Sequence, residues 1–133
     1  MAVKKTSKIH AGKAKNTQNS KGMKELEKKI GKVPVFFKEL MKTQPDMHGA
    51  VLAFDQHIWD DGALSRKTKK IIAISIAAAL RDQHAVRAQL AGAKKLGVNT
   101  DEIEEALRVT FLLSGMPAYV YGRAAMKEIM EKG

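Results

Sequence analysis

The chain has 133 residues, a formal net charge of +10 at pH 7 and no cysteine. That length suits one domain around one core, and the missing thiols exclude disulfides, thiolate catalysis and cysteine-bound metal. No apolar run approaches the roughly 20 residues of a membrane span, and the lysine-rich start lacks the apolar segment of a secretory signal. The expectation is therefore a cytoplasmic protein with no membrane partner.

The charge is unevenly placed. Residues 1–32 hold ten lysines against Glu25 and Glu27, a net of +8, whereas residues 33–133 carry a net of only +2. Residues 1–20 show isolated apolar side chains and no sustained period, which predicts a disordered basic arm ahead of a helical domain over residues 21–133. A basic arm can hold nucleic acid through counterion release, so nucleic acid is a candidate partner through residues 1–32 only. A solvated tail is the plainer alternative.

From Gly22 the pattern turns helical. Met23, Leu26 and Ile30 share a face and Gly31 ends the segment. Pro34 opens a short helix carrying Phe36, Phe37 and Leu40. Pro45 and Asp46 open the next, with Met47, Val51, Phe54 and Ile58 as its apolar stripe, and Asp60-Asp61-Gly62 stops it. Ser65 is placed to cap a helix from Arg66 to about Leu80. Its first turn is basic, against the helix dipole, and Ile71 to Leu80 has no polar face apart from Ser75, which predicts burial on all sides. In so small a domain such burial is easiest if a second subunit covers the helix, so a homo-oligomer is expected. Asp82 caps the following helix, which runs to Leu96 and ends at Gly97. Asn99 stands three residues before Glu102, a capping-box pattern, and Ile103, Ala106, Leu107 and Phe111 mark a core stripe. Met116-Pro117 opens the last helix. No segment alternates as a strand does, so the fold class is all-α with about six helices.

Four local features, in order, resemble the carboxymuconolactone decarboxylase family, whose fold is shared with alkylhydroperoxidase D. They are Gly62-Ala63-Leu64-Ser65 after Trp59, the helix from Arg66 to Leu80, Gly97-Val98-Asn99-Thr100-Asp101-Glu102-Ile103, and Gly115-Met116-Pro117-Ala118. The resemblance covers about Val33 to Met130 and implies a trimer or hexamer with a pocket at a subunit boundary. The family's peroxidase branch uses a glutamate, two cysteines and a histidine. Counted back from Gly97, those places fall on Lys70, Asp82, Ala85 and Gln89, and without thiols that mechanism is excluded. The decarboxylase branch resembles the chain better. It implies that the stretch Arg81 to Gln89 retains one histidine as His84 and replaces another by Gln89, with Tyr121 where decarboxylases carry a further histidine.

On this basis His84 is the candidate acid/base group and Asp82 its candidate helper, although N-capping alone accounts for an aspartate there. Gln89, Arg81, Lys70, Tyr121 and His57 are candidate substrate-binding residues. Gln89 can hydrogen-bond a carbonyl or carboxylate but not transfer protons. Arg81, like Arg87, can grip a carboxylate. Lys70 can meet an anion, with a solvated surface lysine as the plainer alternative. Tyr119 and Tyr121 each offer a phenol. His10 and His48 lie outside any cluster, no metal-ligand spacing stands out, and no phosphate loop is present, so no cofactor is expected. The function expected is that of a thiol-free, decarboxylase-like lyase acting on, or binding, a small organic acid or lactone. A non-catalytic oligomeric binding or scaffold protein of the same fold is the alternative.

Overall fold

The computed structural model describes residues 17–132, and these form seven helices and no strand. The all-α expectation holds, with one helix more than the approximate count. The arm over residues 1–16, including His10, lies outside the described residues. Helix α1 covers residues 17–30, so residues 17–20, expected to continue the arm, are already helical. Asn19 is one reason: it is buried, and its side-chain amide donates to the Pro45 carbonyl at 3.0 Å. The others are α2 (Val35–Thr43), α3 (Pro45–Trp59), α4 (Arg66–Leu80), α5 (Gln83–Lys95), α6 (Thr100–Ser114) and α7 (Met116–Met130).

The chain divides into two compact units, one of residues 17–29 and 33–59, the other of residues 30–32 and 60–132. In the first unit α2 packs on α3, and α1 lies close enough to α3 that a methyl group at Gly22 would come within 2.7 Å of Leu52. Gln56 Nε2 donates to the Gly22 carbonyl at 2.8 Å. The face of α3 that this contact selects is not the expected one. His48, Leu52 and Trp59 are buried, whereas Met47, Phe54 and Ile58 are exposed. Apolar residues circle α3, so the sequence period alone does not choose its inward side.

The second unit is built from α4 to α7. Helix α4 touches α5, α6 and α7, and α7 touches α5 and α6. Ile74, Ala77, Ala78, Val86, Leu90, Ala93, Val98, Ile103, Leu107, Ala125 and Met126 form its core. The ends follow the expected chemistry. Ser65 Oγ accepts from the Thr68 amide at 3.2 Å, Asp82 Oδ1 accepts from the Ala85 amide at 3.0 Å, and Asn99 and Glu102 close a reciprocal capping box. Between α4 and α5 the chain turns in two residues. The Asp82 amide donates to the Ala77 carbonyl and the Arg81 amide to that of Ala78, both at 3.1 Å, a Schellman arrangement with Arg81 left-handed at φ 54°.

Helix α4 is covered by its own chain only in part: Ile72, Ile76 and Leu80, spaced by four, are exposed, because its three neighbours leave open the side for which a second subunit was expected. One burial expectation needs correction. Phe111, expected in the core stripe of α6, is 43% exposed and stands edge-on to Tyr119 with ring centroids 5.4 Å apart.

Candidate functional site

On α4 the buried positions are Lys70, Ile74, Ala77 and Ala78. They follow a spacing of four, three and one, a single helical stripe. Lys70 is therefore carried inward by the register of an apolar face, and it is only 1% exposed. The expectation of a solvated lysine is overturned. Its Nζ donates to Gln89 Oε1 of α5 at 2.8 Å. A buried ammonium needs acceptors to offset its lost hydration, and the amide oxygen of Gln89 supplies one without a second charge.

The same corner is sealed by backbone. A methyl group at Gly92 of α5 would overlap the carbonyl oxygen of Ile30 and lie 3.1 Å from Lys70 Nζ. Gly31 has φ 86°, and a side chain there would overlap the Gly92 carbonyl. Segment 30–32 thus crosses α5 at Gly92, directly over the Lys70 ammonium. The Ile30 carbonyl and the Lys70 ammonium thus both approach α5 at Gly92, and Lys70 is held there with Gln89 as one of its acceptors.

The other expected residues are disposed differently. His84, in the first turn of α5, is exposed and makes no hydrogen bond among the described residues. Asp82 is exposed and spends a carboxylate oxygen on the α5 cap, as the plainer alternative held. Arg81 has an exposed side chain at the αL corner. Arg87 is already occupied: its two terminal nitrogens reach the two carboxylate oxygens of Glu128 on α7, each at 2.8 Å. This paired hydrogen bond holds the Glu128 carboxyl below the usual carboxylate range and raises Arg87 further. His57 is exposed in the last turn of α3, in the other unit.

The two tyrosines separate. Tyr119 OH donates to Glu104 Oε1 of α6 at 2.5 Å, and Arg123 Nη1 reaches both, at 3.0 and 3.2 Å. Tyr119 is thus tied into an ion-pair network that the sequence did not disclose, because its members come from two helices. Tyr121 packs against the core of α4 to α7, yet its hydroxyl is buried with no hydrogen-bond partner among the described residues. Such orphans are uncommon and call for a reason.

One residue was missed. His48, set aside as outside any cluster, is fully buried. Its Nε2 lies 3.3 Å from Met23 Sδ, its ring stands edge-on to Phe37 at 6.1 Å, and burial lowers its pKa. No local sequence signal marks it.

Residues 45–128, spanning α3 to α7, match the model of the carboxymuconolactone decarboxylase family. The chain belongs to that family. It is 40% identical over 103 residues to an uncharacterised protein of Methanocaldococcus jannaschii, covering 74% of this chain and 95% of that one. Among solved structures, it is similar to a carboxymuconolactone decarboxylase family protein from Legionella pneumophila, with a TM-score of 0.67 and 25% identity over 82% of this chain and 94% of that one. It also shares its fold with a Burkholderia xenovorans LB400 protein bearing a provisional carboxymuconolactone decarboxylase name, at a TM-score of 0.74 and 20% identity, covering 87% and 92% of the two chains. Lys70 and Gln89, two of the residues singled out from the sequence, are hydrogen-bonded to each other in this chain.

Proposed function

We propose that the protein binds a small organic acid or lactone and acts on it by acid/base chemistry that involves no thiol. The observation that carries this is the Tyr121 hydroxyl, buried and unpartnered at a place where decarboxylases of the family have a histidine. A phenol with no hydrogen-bond partner among the described residues can donate to a ligand carbonyl or carboxylate. His84 supplies the acid/base group: it is exposed and makes no hydrogen bond among the described residues, in the first turn of α5. Arg81, also exposed, faces the carboxylate of the ligand. Asp82 acts through the cap that fixes the α5 start, and Lys70 and Gln89 act beneath the surface as a fixed positive end rather than as direct contacts. His57 is a further candidate for ligand contact.

Assembly as a homotrimer or homohexamer belongs to this proposal. It is supported by the exposed stripe Ile72, Ile76 and Leu80 and by Leu112 and Leu113, which are 81% and 80% exposed. Apolar surface of this extent is normally covered.

The test is turnover of γ-carboxymuconolactone and related lactones by the wild type, His84→Ala and Tyr121→Phe, with light scattering on the same samples. Loss of at least tenfold in kcat for His84→Ala, and a raised KM for Tyr121→Phe, are expected. Equal activity in His84→Ala removes the acid/base assignment, and a monomer removes the assembly. A second reading, a binding or scaffold protein without chemistry, is favoured by the closed Lys70–Gln89 pair. It predicts ligand binding without turnover.

A further inference from the structure

Helix α1 has two contrasting faces. Asn19, Met23, Leu26 and Ile30 are buried. Lys21, Lys24 and Lys28 are exposed and spaced by three and four, so they share the opposite face. Glu25 lies at one edge of that face and Glu27 away from it.

We propose that this lysine face is a contact surface for the phosphate backbone of a nucleic-acid duplex, engaged without sequence preference. Charge is the first argument. Residues 1–32 carry a net of +8 and the rest of the chain only +2, so the positive field is concentrated on this helix and the segment before it. Spacing is the second. At about 1.5 Å per residue, Lys21 to Lys28 spans roughly 10 Å, and a duplex offers one phosphate charge per about 1.7 Å of axis. Over that length the duplex therefore carries more phosphate charges than the three cations.

The choice of partner follows from what α1 lacks. A helix that lies on a membrane buries an apolar face among the headgroups, but the apolar face of α1 is already used inside its own unit. A surface for single strands stacks bases on aromatic rings, and residues 1–32 contain no Phe, Tyr or Trp. Lysines without aromatics or guanidinium forks position a phosphate backbone and carry no base readout.

The experiment uses the full chain and a fluorescently labelled 20-base-pair duplex of random sequence. Anisotropy is measured between 50 and 200 mM salt for the wild type and for the combined Lys21→Gln, Lys24→Gln, Lys28→Gln variant. Each phosphate contact contributes about 0.9 to the log–log salt slope, so the variant is expected to lower the slope by roughly 2.7. Glutamine has nearly the helix propensity of lysine, and far-UV circular dichroism verifies the fold. If the triple variant misfolds, Lys24→Gln alone is expected to lower the slope by about 0.9. Unchanged affinity and slope in the variant overturn the proposal. So does a wild type that ignores the duplex at 50 mM salt, or one that prefers phosphatidylserine vesicles to it.

Discussion

Lys70 Nζ donates to Gln89 Oε1 at 2.8 Å, joining a fully buried cation on α4 to a neutral acceptor on α5. An acidic partner would neutralise the charge outright; an amide only solvates it. The pair is therefore a place where removing either side has unequal consequences.

Gln89→Leu strips the ammonium of an acceptor and is expected to cost about 1–3 kcal/mol. Lys70→Met keeps the volume and removes the charge, so in the Gln89→Leu background it should recover most of that loss. Urea titration of the two single variants and the double variant measures the coupling. A Gln89→Leu protein as stable as the wild type would show that the bond contributes nothing.

Gly92 is where segment 30–32 crosses α5. Alanine is favoured over glycine in a helix by up to about 1 kcal/mol, but here the added methyl overlaps a backbone oxygen that cannot rotate away. Gly92→Ala is expected to lose about 1–3 kcal/mol net. Gly62→Ala, with nothing within 4 Å of the new methyl, is the control and should stay within about 0.5 kcal/mol. Thermal unfolding of the two variants decides it.

Burial lowers the His48 pKa from its ordinary value of 6.5. The folded protein thus keeps the imidazole neutral at a pH where the unfolded chain protonates it. The resulting stability is complete above about pH 6.5 and falls as the pH drops toward the lowered folded value. Trp59, the sole tryptophan, lies on α3 with His48, so its fluorescence reports this unit. Urea midpoints are expected to fall between pH 7.5 and 5.5 in the wild type and to fall less in His48→Leu. Parallel slopes in the two proteins would contradict the assignment.

Arg81 holds φ 54° at the end of α4. The left-handed region costs a side chain about 1–2 kcal/mol, and glycine returns about 0.5–1 kcal/mol of that as unfolded-state entropy. Arg81→Gly is expected to stabilise the fold by about 0.5 kcal/mol, read from the urea midpoint. Destabilisation would mean that the arginine side chain makes a contribution larger than its backbone strain.

Much of the helical framework was legible because helix ends are written in neighbouring residues. Ser65, Asp82 and Asn99 each cap by reaching three residues along their own chain, and Gly31 and Gly97 supply positive φ at stops. The site was legible only in part. Asp82 was readable as a cap, whereas nothing near Arg87 announced Glu128, 41 residues away. Likewise Tyr119 and Glu104 meet only because α6 and α7 pack together.

The sequence by itself determined the absence of thiol chemistry, the uneven charge, and where most helices begin and end, since each depends on composition or on contacts a few residues apart. Tertiary packing decided which faces turn inward where the apolar pattern circles the helix. It placed Lys70 beneath Gly92, hid His48 on a helix whose apolar residues circle it, and left Ile72, Ile76 and Leu80 outward on a helix that reads as buried throughout. Burial depends on what crosses a residue from elsewhere in the chain, and a local pattern does not contain that partner.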